Sequence, residues 1–164
     1  ISEQFPTGNT LLKKTVFKTV GLFDRQFEKQ RMGDGEFGTR CYLAGILAIS
    51  NPLSSCIDIK ATTGGLREMG SWDSWRPKNI FSPRPIPSVL YYYRKYWGAK
   101  QSIYNTIITY PKTINSYNLK GKLIGDILSI TIFISFFPIF ILLFLKSWRK
   151  SSAMLKEGGK IENL

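Results

Sequence analysis

The chain has 164 residues, with 23 lysines and arginines against 11 aspartates and glutamates, so its net charge is +12. This length has room for one domain, and the two cysteines, in a chain without histidine, have no partnered metal-ligand spacing. The charge is uneven. Residues 1–75 hold nine basic and eight acidic side chains, residues 76–122 hold nine and none, and residues 123–164 hold five and three.

The first part of the chain alternates short structural signals. We expect a short strand at residues 10–12 and a helical turn at residues 15–20 that ends at Gly21, since glycine tolerates the left-handed conformation that follows a helix. Phe23 and Phe27 are predicted to be core anchors.

A glycine-rich acidic cluster then leads into a predicted helix within residues 32–45. Three apolar residues share one face at helical spacing, namely Phe37, Cys41 and Ala44. Gly45 is predicted to stop this helix, and residues 46–49 have the composition of a buried strand. Cys41 and Cys56 are interpreted as buried thiols.

Two acidic residues lie at the start of this helix. Asp34 is placed where a side-chain oxygen can cap the free N–H groups of the first turn, and where the helix dipole keeps a carboxylate ionised. The same position suits a general base, and the residues alone leave both uses open. Glu36 stands four residues before Arg40, the favourable order for an ion pair on a helix.

The pattern Asp34-x-Glu36-Phe37-Gly38-x-Arg40, followed by Ala44-Gly45, resembles the acidic catalytic motif of family 2 glycosyltransferases. Residues 8–14 and 20–27 are similar to the stretch that leads into that motif, and residues 61–67 are similar to a Gly-Gly-Leu-Arg segment of some membrane-attached members. The four segments stand in the family's order.

This resemblance implies an α/β fold, the C-terminal half of a Rossmann-like GT-A domain, over residues 1–75. It implies an enzyme that moves a sugar from a nucleotide-diphosphate donor to a hydroxyl of a glycan or lipid-linked acceptor, with inversion at the anomeric carbon. Asp34 matches the general base of the family, and Glu36 matches its supporting acid.

The donor side is represented by fewer residues. Gly64 and Gly65 form a turn signal, and their backbone N–H groups are predicted to approach the donor diphosphate, with Arg67 as a bidentate clamp. Gly33 stands where the family has glutamate. Asp58 lies near the position of the family's metal-binding histidine, and its oxygen ligands would suit Mg²⁺ or Mn²⁺.

The family's nucleotide-binding half, with its Asp-x-Asp metal motif, is not found in the sequence. We therefore expect the chain to be the C-terminal part of a longer enzyme that lacks most of the donor-binding site.

Residues 76–122 are predicted to be a basic, aromatic segment at a membrane interface. A proline-rich stretch opens it, and apolar and aromatic residues follow at helical spacing, among them Val89, Tyr93 and Trp97. Aromatic residues prefer the headgroup zone, and basic residues are attracted to anionic lipids. Single-stranded nucleic acid is the alternative partner for such a segment, but the next segment favours a membrane and no nucleic acid.

Residues 123–146 are predicted to be a transmembrane or re-entrant segment, because residues 127–145 carry no charge. Pro138 permits a kink or a hairpin, and both topologies stay open because both flanks are basic. Residues 147–164 form a basic tail, loose at its end. The catalytic part is expected on the cytoplasmic face of the membrane. The alternative function is a non-catalytic, membrane-anchored interaction protein in which Asp34 only caps a helix.

Overall fold

The computed structural model describes residues 10–49, 51, 53–54, 79, 81–114 and 122–164, and within these ranges the chain forms helices and no strand. The chain divides into two compact units. The first comprises Ile1–Glu68 together with Gly159–Leu164, and the second comprises Met69–Gly158.

The first unit contains helix α1, Lys14–Val20, a 3-10 turn at Arg25–Phe27, and helix α2, Gly33–Leu43. Its core is built around Phe37 and Cys41, which are almost completely buried. Partly buried apolar residues pack against them, namely Leu12, Val16, Phe17, Val20 and Ile46. Three aromatic rings meet in this core, with Phe37 stacked on Phe23 at 4.4 Å and tilted against Phe17 at 5.5 Å between centroids.

The predicted α/β fold is wrong for the described residues, which are helical. Residues 46–49 form no strand because Ile46 completes the end of α2. Gly45 has a φ of 75°, close to the 77° of Gly21. The N–H of Gly45 donates to Tyr42 O at 3.0 Å, and the N–H of Ile46 donates to Cys41 O at 2.9 Å. This pair of bonds is a Schellman motif, in which the apolar residue after the glycine packs back on the helix. Leu47 and Ile49 are 66% and 86% exposed, so the apolar run is not a buried strand.

Several local predictions in this unit are confirmed. Helix α1 covers the predicted turn, and Gly21 follows it as the C-cap. Gly45 follows α2 in the left-handed conformation. Phe27 is buried at 5% exposure, whereas Phe23 is 38% exposed despite its stacking on Phe37. The strand predicted at residues 10–12 is wrong, because these residues form no strand.

The second unit contains three longer helices. Helix α3, Pro87–Thr109, is interrupted at Gly98, where φ is 77°. A 3-10 turn follows at Pro111–Thr113, and then come α4, Leu123–Ser135, and α5, Phe137–Glu157. The helical spacing predicted for the aromatic segment is therefore confirmed within α3.

Helices α3 and α5 pack through one arginine and a row of serines. The Arg94 guanidinium lies 3.8 Å from the centre of the Trp148 ring and donates to the hydroxyls of Ser151 and Ser152, both at 2.7 Å. The Ser147 hydroxyl donates to Pro85 O at 2.6 Å. Small residues on α5 thus allow close contact between the helices, and the arginine joins them.

Helices α4 and α5 meet at a sharp bend of 82° around Phe136. Pro138 lies in the first turn of α5. A backbone N–H in the first turn has no partner within the helix, so a proline there removes no helical hydrogen bond. Tyr110 packs against Phe133 and Phe140 at 5.8 and 5.1 Å. No single helix among the described residues has both the length and the apolar character to cross a membrane, whereas α4 and α5 taken together do.

Candidate active site

Asp34 lies on the first turn of α2 and is exposed to solvent. The helix begins at Gly33, and its N-cap residue is Met32, whose φ of 73° is left-handed and whose side chain makes no capping bond. The prediction that Asp34 is the N-cap is therefore wrong. The Gly35 N–H donates to Asp34 Oδ1 at 2.9 Å, so the carboxylate still accepts from the free end of the helix.

The two glycines beside Asp34 lie close to neighbouring side chains. A Cβ atom on Gly33 would lie 3.1 Å from Cβ of Phe27, and one on Gly35 would lie 3.1 Å from Cε of Met32. Both distances are shorter than ordinary van der Waals contact. Gly33 is the position at which the family motif has glutamate. In this chain, the core residue Phe27 leaves little room for a side chain there.

Glu36 has a different environment from Asp34, because its side chain is completely buried. The Arg40 Nε donates to both carboxylate oxygens of Glu36, at 3.1 and 2.9 Å. The other guanidinium nitrogens of Arg40 donate to Val20 O and to Leu22 O, the latter at 2.8 Å. The predicted ion pair is thus present, and it joins α2 to the carbonyl end of α1.

The buried pair leaves Asp34 as the exposed acid of the motif. Successive side chains of a helix are about 100° apart, so residues two apart point in nearly opposite directions. Glu36 therefore faces the core and supports the helix, while Asp34 faces solvent, where a substrate can reach it.

Cys41 is the free cysteine on the buried face of α2. Burial raises the pKa of its thiol, and the Glu36 carboxylate raises it further, while the Arg40 guanidinium opposes them. A thiol with a raised pKa stays protonated at neutral pH and is a poor nucleophile. Its interpretation as a buried structural thiol agrees with this environment.

The C-terminal residues 159–162 pack on the loop that follows α1, a contact that the sequence did not predict. The carboxylate of Asp24, which is 2% exposed, accepts from the N–H groups of Gln26 and Lys160, both at 2.9 Å. The Leu22 N–H donates to Glu162 O at 2.8 Å, and the Arg25 N–H donates to Lys160 O at 3.1 Å. The expectation of a loose tail is therefore wrong.

Gly21 is the residue in the sequence that could have indicated the contact between the tail and the loop after α1. Gly21 has a φ of 77°, and a Cβ atom there would lie 2.4 Å from a methyl carbon of Ile161. The tail passes so close to the backbone that only glycine leaves room for it. In the sequence, Gly21 was interpreted as a helix stop alone, because the partner lies at the far end of the chain.

The residues predicted to bind the donor or a metal lie outside the described residues. These are Asp58, Gly64, Gly65 and Arg67. Within the described ranges, no three cysteine or acidic side chains converge as they would around a metal ion. The expectation of Mg²⁺ or Mn²⁺ at Asp58 stays a prediction.

Comparisons of the chain with models of protein families, with curated proteins and with solved structures give no match. Function is therefore inferred from the residues of the site and from the resemblance of their sequence motif.

Proposed function

We propose that the chain is part of a membrane-bound glycosyltransferase of the family 2 type, and that Asp34 is its general base. The observation that carries this proposal is the pair of environments in α2. Asp34 is exposed at the N-terminal end of the helix, while Glu36, in the same motif, is buried against Arg40. The motif therefore offers one carboxylate to a substrate and uses the other to hold the helix.

The reaction follows from this assignment. The ionised Asp34 carboxylate accepts the proton of the acceptor hydroxyl, and the hydroxyl oxygen attacks the anomeric carbon of the donor sugar. The bond from that carbon to the donor's diphosphate breaks, and the nucleoside diphosphate leaves with the bonding electrons. Because the oxygen attacks from the face opposite the leaving group, the anomeric configuration is inverted.

The fixed position of α2 supports this role. A general base must lie within hydrogen-bond reach of the proton that it accepts, so the element that carries it has to be held in place. Arg40 connects Glu36 to two backbone carbonyls, one at the last residue of α1 and one just after it, and Phe37 stacks on Phe23. Asp34 is therefore presented by a helix that is anchored on its buried side.

Attachment to a membrane is supported by the surface of the second unit. Large apolar residues are exposed along all three of its helices, among them Ile107 at 59%, Ile124 at 75%, Ile134 at 67% and Leu142 at 59%. Apolar surface of this extent on a protein marks an interaction site. With the basic residues nearby, an anionic membrane is the occupant that we propose, with the catalytic part on its cytoplasmic face, where nucleotide sugars are found.

The test is to replace Asp34 by asparagine in the protein that contains residues 1–164, purified with lipid. The variant should transfer sugar from a panel of nucleotide sugars at least about a hundredfold more slowly, the low end for a positioned base. Its helix should remain intact, because the amide oxygen still accepts from the Gly35 N–H.

Asp126→Asn is the matched control, since Asp126 is also an exposed aspartate in the first turn of a helix, α4. It should transfer sugar at the wild-type rate. If Asp34→Asn keeps a rate near that of the wild type, Asp34 is not the base. The absence of transfer from every donor by the wild-type protein would favour the non-catalytic interaction protein.

A further inference from the structure

We propose that α4 and α5 form a re-entrant hairpin, which enters one leaflet of the membrane at α4 and leaves by the same face along α5. The proposal rests on the membrane attachment proposed above but not on the chemistry of Asp34. It assigns the topology that the sequence left open, and it identifies the apolar surface of these helices as the part that contacts lipid.

The C-terminal residues provide the main argument. Residues 159–162 follow α5 in the chain. They bond to residues 22–25, and both segments belong to the first unit. Residues 22–25 stand about a hundred positions before α4 in the sequence. The Arg25 guanidinium also pairs with the Glu162 carboxylate at 3.2 Å. Such bonds do not form across a hydrocarbon core of about 30 Å. Residues 22–25 and the residues that follow α5 therefore lie on the same side of the membrane.

The bend between the helices supports the same topology. The uncharged residues 127–145 are divided at Phe136 by a turn of 82°. Each half has about nine residues, which span about 13 Å as a helix, less than half of the hydrocarbon thickness. Neither half can cross alone, and the bend prevents the two from acting as one straight span.

The exposed side chains at the bend are apolar. Phe136 is 52% exposed, Phe137 is 47% exposed and Ile134 is 67% exposed. The basic residues are instead found at the two ends of the helix pair, with Lys122 before α4 and four more along α5, namely Lys146, Arg149, Lys150 and Lys156. A hairpin places both basic flanks on one side of the membrane, which agrees with the positive-inside rule. A single span would separate them.

Cysteine accessibility in sealed membrane vesicles tests this topology. The background is Cys56→Ser, with buried Cys41 retained as a measured baseline. Single cysteines replace three exposed residues, Lys13, Lys122 and Leu164, and a fourth replaces Phe136 at the bend. Each variant is treated with a membrane-impermeant maleimide before and after the vesicles are permeabilised.

Cysteines at positions 13, 122 and 164 should show the same ratio of labelling in intact and permeabilised vesicles. The cysteine at position 136 should be labelled at least about tenfold more slowly from both sides, since lipid excludes the reagent. Labelling of positions 122 and 164 from opposite sides would overturn the hairpin, as would fast labelling of position 136 from the face opposite position 13.

Two further outcomes separate this proposal from the others. A protein that does not sediment with the vesicles would overturn both the hairpin and the membrane attachment. A hairpin pattern of labelling in a protein whose Asp34→Asn variant is fully active would support the topology while removing the proposed base.

Discussion

At the scale of single residues, the two acids of the Asp34-x-Glu36 motif have been separated by the geometry of the helix. Glu36 is buried and bonded to Arg40, and Asp34 is in solvent with only a local bond to the Gly35 N–H. A buried carboxylate needs a charged partner because its desolvation is otherwise costly. One acid of the motif thus anchors the helix and the other is exposed, so the two should respond differently to substitution.

Glu36→Gln should destabilise α2 rather than act on the chemistry directly. The amide leaves the Arg40 charge in a mostly buried site without its carboxylate, and breaking a buried pair in this way costs about 3–5 kcal/mol. Hydrogen exchange of the α2 amides measures the loss as faster opening. Glu28→Gln is the control, because its pair with Arg25 is mostly exposed and is worth less than about 1 kcal/mol. Equal exchange in both variants would show that the buried pair does not hold the helix.

At the scale of elements, local signals predicted helices better than strands. Glycines at the ends of α1 and α2 and the spacing within α3 were interpreted correctly, because helix ends and helical periodicity are encoded in neighbouring residues. Residues 46–49 were assigned to a strand on composition alone, although Ile46 is used by the end of α2. Short apolar runs do not distinguish these structures without their tertiary partners.

The start of α2 also could not be predicted from local sequence signals alone. Aspartate is a common N-cap residue, but the N-cap of α2 is Met32, whose backbone is left-handed, so the helix begins before Asp34. At this start of the helix Gly33 lies close to Phe27, and a Cβ atom on Gly33 would lie 3.1 Å from Cβ of Phe27. The contact between the tail and residues 22–25 also cannot be predicted locally, because it joins residues that are 136 positions apart, Asp24 and Lys160. The Glu36–Arg40 ion pair was therefore predicted from local spacing, while the left-handed start of α2 and the contact with the tail were not.

Asp24→Ala tests the contact between the tail and the first unit. Removal of the carboxylate leaves the N–H groups of Gln26 and Lys160 without their buried acceptor, which should cost about 1–3 kcal/mol. The tail should then detach, and trypsin should cleave faster after Lys160. Asp24→Asn is the control, since both N–H groups donate to one oxygen that an amide retains. A cleavage rate unchanged by Asp24→Ala would contradict a tail held by this residue.

At the scale of the whole molecule, the two units have different surfaces. The first unit holds ten basic and eight acidic side chains and carries exposed Asp34, whereas the second holds thirteen and three and has exposed apolar residues on its helices. Such a division would suit the glycosyltransferase proposed above, which takes a water-soluble donor and an acceptor at a membrane.

The stereochemistry of the product tests this account most directly. The wild-type protein in anionic vesicles is given a nucleotide sugar and its acceptor, and the anomeric coupling of the first product is measured by NMR. A single displacement with Asp34 as base predicts a product whose anomeric configuration is inverted relative to the donor. A product that retains the donor's configuration would contradict the account, because a single in-line displacement always inverts the anomeric carbon.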